Sequence, residues 1–114
     1  MAQDPECIFC KISKGEIPSS KLYEDEKVFA VPDIHPHAPV HLLIIPHEHV
    51  PTLNDLPESA FDLIGHVFKV AVELAKRHGV AEQGYKLMHN VNDWGGQRLY
   101  HLHFHLLGGK QFGF

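Results

Sequence analysis

Residues 101–107 read His-Leu-His-Phe-His-Leu-Leu, three imidazoles alternating with apolar side chains. Successive side chains of a β-strand point to opposite faces. A strand over Leu99–Leu107 therefore sets His101, His103 and His105 on one face and Leu102, Phe104 and Leu106 on the other. Alternate residues are then about 6.6 Å apart. The result is a row of imidazoles backed by a buried apolar face. A metal-binding strand is one use of such a row. A chance cluster is the weaker account even in a chain with eleven histidines, because scattered surface histidines do not alternate cleanly in a β-prone run.

The remaining elements follow in order. Met1–Glu6 is polar, carries Pro5 and reads as loose. Cys7–Lys14 suits a short helix, ended by Gly15 and the Ile17-Pro18 turn. Lys21–Glu24 and Val28–Val31 read as short strands around Asp25-Glu26-Lys27. The prolines of Asp33–Pro39 make it a loop, and His41–Ile45, closed by Pro46, suits a central strand. His47–Pro51 is an ordered connection.

Pro57–His78 is the one long helix, with Pro57 in its first turn and Lys76-Arg77-His78-Gly79 as its stop. Phe61, Ile64, Phe68, Ala71 and Ala75 make one apolar face; Leu63, Val67, Val70 and Leu74 make an adjacent one. That is more than one sheet face covers, so the excess reads as a subunit interface, with a well-covered helix inside the monomer as the alternative. Tyr85–Val91 is a further strand, Asn92–Gln97 a loop, and Gly108–Phe114 is too short for an element of its own. About five strands with one long helix predict an α+β fold in which a five-stranded antiparallel sheet carries the long helix and a short N-terminal helix. At 114 residues, 1–114 is expected to be a single domain.

Composition excludes some roles. Hydrophobic content of 44% and charged content of 21% are ordinary for a soluble globular protein, and a net charge of −4 does not indicate a nucleic-acid-binding surface. Neither a signal peptide nor an apolar run near 18 residues is present, so a cytoplasmic location without membrane association is the expectation. The two cysteines, Cys7 and Cys10, are spaced as half a zinc site or as a redox pair.

A neutral imidazole in the middle of the histidine row is a competent nucleophile near neutral pH, provided one ring nitrogen is free and the other is held by an acceptor. Attack on phosphorus also needs donors for the phosphoryl oxygens. His105, Gln97 and Asn90 are available, and Gly95-Gly96 permits close backbone approach to an anion.

These motifs resemble the histidine triad (HIT) superfamily, whose signature alternates three histidines with apolar residues and ends on two apolar positions. The resemblance extends through Cys7-Ile8-Phe9-Cys10-Lys11-Ile12, Gly15–Pro18, Asp33–His41, Ile45–His49, Asn90 and Gly95-Gly96-Gln97, spanning residues 7–109. Order and spacing, with Leu107-Gly108-Gly109, look like the Hint branch (nucleoside phosphoramidase-like). The resemblance implies a HIT-like fold and a homodimeric hydrolase acting at the α-phosphorus of purine nucleoside 5′-phosphoramidates, derivatives of AMP or GMP. It implies His103 as nucleophile, a nucleotidyl-histidine intermediate, and His105, His41 and His101 as its catalytic companions. Asn90, Gly96 and Gln97 match phosphate contacts, Asp33 the carboxylate on the ribose hydroxyls, and Phe9, Ile12, Ile17, Ile34 and Leu43 the apolar slot for the purine. Read without the resemblance, each of those five is plain core. Cys7, Cys10, His49 and His101 match the ligands of a structural zinc ion, with no catalytic metal expected. Arg98 stands where the branch usually has a serine implicated in assisting the leaving group. His35, His37 and Trp94 are further departures. The rival readings are a dinucleoside polyphosphate hydrolase and a nucleotide-binding, zinc-stabilised interaction protein with weak catalysis.

Overall fold

An apolar run closed by proline belongs in the middle of a sheet covered on both faces. The computed structural model, which describes residues 3–114, has β3 (Val40–Pro46) in that position. On one side of it lies β2 (Val28–Pro32), edged by β1 (Tyr23–Glu24); on the other lies β5 (Phe104–Gly108), edged by β4 (Tyr85–Met88). The order is β1-β2-β3-β5-β4, antiparallel throughout.

The period of two sorts the sheet into two layers. Leu42 and Ile44 join Val28, Ala30, Phe104 and Leu106 beneath α2 (Asp62–Arg77), which presses Val67, Val70, Ala71 and Leu74 onto them. On the opposite face Leu43 and Ile45 join Phe29 and Val31 beneath Phe9 and Ile12 of α1 (Ile8–Ser13). Full burial of a side chain such as Ile44 or Ile45 contributes about 1.5–3 kcal/mol. Among the described residues the α1 layer packs on β2 and β3, and its Phe9 ring also meets His101 and His103 just before β5. The same face of β5 and β4 is left open, and the site lies there.

Boundaries differ from expectation where backbone groups find other partners. The histidine segment enters the sheet at Phe104, not Leu99. Ile44 pairs with Phe104, and two positions further along β3 stands Pro46, which has no N–H for the ladder. Its carbonyl accepts the His101 Nε2–H at 2.7 Å instead, while the Leu102 N–H donates to Val50 O at 2.7 Å. The fourth strand ends at Met88 instead of Val91. The long helix starts at Asp62, because Glu58–Ala60 form a 3₁₀ turn after Pro57. It stops where expected, with Gly79 at φ +74° and the Val80 N–H on Ala75 O. The buried stripe of α2 takes residues from both anticipated faces, leaving Phe61, Phe68 and Val72 at 46%, 48% and 43% exposure. The expected loose start is corrected for residues 3–6: Gln3 Nε2 donates to His47 O and the Cys7 N–H closes a turn on Asp4 O. Met1 and Ala2 lie outside the described residues.

Candidate active site and metal centre

Two chains of hydrogen bonds set the imidazole tautomers. His103 Nδ1–H donates to its neighbour carbonyl His101 O at 2.7 Å, which leaves Nε2 as the basic nitrogen. The ring is partly exposed and lines the open face; burial pulls its pKa below the usual value, so it is neutral near pH 7. The second chain starts at the backbone. The His37 N–H donates to His41 Nδ1 at 3.0 Å, so His41 carries its proton on Nε2. That proton points at His105 Nδ1, 2.9 Å away, and at Asp33 Oδ2, 3.4 Å away. His105 therefore carries its own proton on Nε2, where it can donate to an anion. Asp33, His41 and His105 lie close enough together to hold a cation. The 2.9 Å nitrogen pair fits an N–H···N bond, and the tautomers account for it without a metal.

These residues border a cavity of about 1070 Å³. Phe9, Ile12, Ile17, Ile34 and Leu43 form its apolar wall, and Asp33 sits at its edge, its Oδ1 accepting the His35 N–H at 2.8 Å. Asn90 reaches the cavity with its Nδ2 bonded to Gly95 O. Gly96 stands beside it at φ +81°, a conformation that a Cβ would strain.

Cys7, Cys10, His49 and His101 form a separate cluster under α1. Cys7 Sγ lies 3.2 Å and Cys10 Sγ 3.6 Å from His101 Nδ1; Cys10 Sγ is 3.5 Å from His49 Nδ1, and the two Nδ1 atoms are 3.2 Å apart. Tetrahedral zinc with bonds of about 2.3 Å to sulfur and about 2.05 Å to nitrogen spaces its ligand atoms about 3.6 Å (S to N) and about 3.3 Å (N to N) apart. The cluster fits that spacing closely. His101 is wholly buried, its Nε2–H is committed to Pro46 O, and burial holds its pKa at about 4, so the Nδ1 lone pair faces the thiols. Burial pushes the Cys10 thiol up, which makes its position a poor place for a thiolate without a cation.

The cavity thus gathers the candidates Phe9, Ile12, Ile17, Asp33, Ile34, His41, Leu43, Asn90, Gly96, His103 and His105. Two others are elsewhere. Gln97 is buried away from it: Oε1 accepts the Asn92 N–H, and Nε2 donates to Pro51 O and Leu99 O, so the amide is spent holding the glycine loop. His101 faces the cysteines, so the three imidazoles do not form one row. Trp94 is fully exposed. Sequence reasoning passed over His89, whose Nδ1–H donates to His103 O at 2.8 Å and whose ring stacks on Phe104. It also passed over Lys86, Lys110 and Phe112, which line the far end of the cavity. For Lys86 a signal existed: Lys86, Met88 and Asn90 alternate onto one face.

Burial holds His105 at about 4, reinforced by His103 and His41, and burial also lowers His41. Both rings gain protons more readily in the unfolded chain, whose imidazoles titrate near 6.5. The contribution of His105 is complete above about pH 6.5, declines as pH drops toward 4, and changes no further below that; His41 acts in the same direction. The urea midpoint is expected to fall across that window and to fall less steeply in His105→Gln. Equal slopes in the two proteins would refute this.

Comparisons with known proteins follow the same outline. The family model described as "Scavenger mRNA decapping enzyme C-term binding" matches residues 6–112. A purine nucleoside phosphoramidase of Escherichia coli K12 is 47% identical over 108 residues, covering 95% of this chain and 91% of the relative. A 14 kDa zinc-binding protein of Zea mays is 46% identical over 110 residues, covering 95% and 85%. The crystal structure of a HIT family hydrolase from Legionella pneumophila superposes with a TM-score of 0.90 at 48% identity, covering 93% of this chain and 95% of that one.

Proposed function

The chain belongs to the histidine triad (HIT) family of hydrolases, and on that premise we propose that it cleaves purine nucleoside 5′-phosphoramidates at the α-phosphorus through a nucleotidyl-His103 intermediate. The observation that carries this reading is the His103 ring, neutral and anchored through Nδ1–H to His101 O, with Nε2 left basic beside the cavity. The purine lies against Phe9, Ile12, Ile17, Ile34 and Leu43. Asp33, a bidentate acceptor, takes the ribose diol. The phosphate rests on His105 Nε2–H and the second Nδ2–H of Asn90, and Gly96, without a side chain, lets it approach the loop.

Nε2 of His103 attacks phosphorus while the P–N bond breaks. The electron pair stays on the leaving nitrogen, which takes a proton from water and departs as the amine. Water then adds to phosphorus, its second proton returns to solvent, and His103 recovers its lone pair. Binding and preorganised donors supply the acceleration, as in other phosphoryl transfers. The test is product analysis: stoichiometric mononucleotide and amine support the reading. Mononucleotide release from a dinucleoside polyphosphate alone, or tight nucleotide binding with no turnover, overturns it.

Zinc, held by Cys7, Cys10, His49 and His101, clips α1 to the His47–Pro51 connection and to the segment that bears His103. The thiol pair suits a reducing compartment, consistent with the cytoplasm. No helix among the described residues is long and apolar enough to cross a membrane. The whole chain acts as one domain, paired as a homodimer through α2. Phe61, Gly65, Phe68 and Val72 fall at i, i+4, i+7 and i+11, one stripe on the solvent side, and a Cβ on Gly65 would meet nothing within 4 Å. Phe68→Glu is expected to yield a folded monomer by sedimentation velocity where the wild type is a dimer. A wild-type monomer, or an unmoved dimer in the variant, would refute this interface.

A further inference from the structure

We propose that His89 is a positioning residue for His103: by holding the main-chain carbonyl of the nucleophile from behind the sheet, it fixes the direction in which the attacking ring projects. The inference rests on the phosphoramidase reading and adds to it a residue that lies outside the cavity.

The nucleophile stands where the sheet stops. Pairing of β5 with β3 ends at Ile44 opposite Phe104, and pairing with β4 ends at Met88 opposite His105. His103 is thus one residue beyond the ladder on one side and two beyond it on the other. A backbone outside the ladder has its φ and ψ still to be set, and its carbonyl needs a donor from elsewhere. That donor is a side chain. His89 Nδ1–H meets His103 O at 2.8 Å, the length of a good N–H···O bond. Just upstream the Leu102 N–H is held by Val50 O at 2.7 Å. The two bonds bracket the His103 Cα.

His89 reaches this carbonyl from the face opposite the cavity. Lys86, Met88 and Asn90 line the cavity, and the period of two turns His89 the other way. Its ring stacks there on Phe104, 4.3 Å between centroids and 20° between planes, and Phe104 belongs to the core beneath α2. A ring stacked on a buried partner has little freedom to turn, so Nδ1–H is aimed before substrate arrives.

The other nitrogen shows what the ring is for. Nε2 of His89 is buried and, among the described residues, has no hydrogen-bond partner. An apolar ring would stack on Phe104 without stranding a nitrogen, and a buried unpaired polar atom costs stability. What the imidazole adds to the stack is Nδ1–H, and that goes to the nucleophile's carbonyl. The His103 ring is tied back to its own main chain through Nδ1–H and His101 O, so a tilt of that main chain carries Nε2 with it. Misplacing a reacting atom by about 1 Å costs on the order of 10²-fold in rate.

Two substitutions separate donor from stack. His89→Phe keeps the stacked ring and loses the donor; His89→Asn keeps an amide N–H near the position of Nδ1 and loses the ring. The single-turnover rate constant on adenosine 5′-phosphoramidate, the Kd for AMP and the Tm are measured for each protein. His89→Phe is expected to lose about tenfold to a hundredfold in rate. Its Tm should stay within about 4 °C of wild type, because removing the stranded Nε2 offsets freeing the carbonyl. His89→Asn is expected to lose about 4 °C or more in Tm but less than about threefold in rate. The Kd for AMP should stay within about threefold in both, since the cavity walls are untouched. A merely structural histidine would make rate follow stability, which is the reverse of this crossed pattern. Rates that follow Tm, a Phe variant within about threefold of wild type, or an Asn variant as slow as the Phe variant would overturn the role. If the Phe variant does not fold, His89→Leu supplies the donor-free protein. A wild type that leaves the phosphoramidate intact overturns the hydrolase reading, and this inference with it; wild-type turnover without the crossed pattern overturns only this inference.

Discussion

His103→Ala is expected to lower kcat/KM for a purine nucleoside phosphoramidate by on the order of 10⁴-fold or more, the scale seen when a covalent nucleophile is removed. No other group can take its place. His105 carries its proton on Nε2 and has Nδ1 occupied by His41, and His101 is buried against the cysteines. The variant should remain folded. The His103 side chain contributes one hydrogen bond, to His101 O, and edge contact with the Phe9 ring at 5.3 Å. The bond from His89 goes to the His103 backbone oxygen and survives the substitution. The expected stability loss is about 1–3 kcal/mol, mostly for the stranded carbonyl and lost packing. Rapid-quench mass spectrometry should find one nucleotidyl group on the His103 peptide of the wild type and none on the variant. A variant within tenfold of wild type would reject the covalent role. A large loss with no labelled peptide in the wild type would favour direct attack by water.

The second large effect is on stability. Purified protein is expected to carry one zinc per chain, and Cys10→Ser to carry little. Cys10 is wholly buried and His101 likewise, so losing the ion leaves a thiol and an imidazole buried with mismatched partners. Structural zinc contributes about 10–16 kcal/mol in small peptides that fold only with metal. Here the sheet and α2 persist without it, so a smaller loss of about 3 kcal/mol is expected, on the order of 10 °C in Tm. Chelation of the wild type should reproduce the shift. It should also raise KM more than it lowers kcat, because the clip positions α1, whose Phe9 and Ile12 wall the base pocket. Zinc-free protein whose Tm is unmoved by chelation would refute the site.

Much of this protein was legible because local and global signals agree. The five strands and two helices follow from period-two and helical patterns plus prolines and glycines at the joints. The cavity face of β5 was readable at His103 and His105, and Cys-x-x-Cys marked half of the metal cluster. The misreadings have a common cause. The stretch from Leu99 to His103 has strand composition, but proline on β3 ends the ladder and the backbone turns to side-chain partners. Gln97 has the chemistry of a phosphate donor, yet three loop groups claim its amide. Lys86, Lys110 and Phe112 come from β4 and the tail, segments that carry no motif.

By itself the sequence determined the alternation of faces, the core strands, the helix end at Gly79 and the inventory of imidazoles and thiols. Those are properties of near neighbours in the chain. Which ring nitrogen of each imidazole carries the proton was decided only by the tertiary structure. A tautomer is set by whichever acceptor or donor lies within about 3 Å. For His101 that is Pro46, 55 residues away, and for His105 it is His41, 64 residues away.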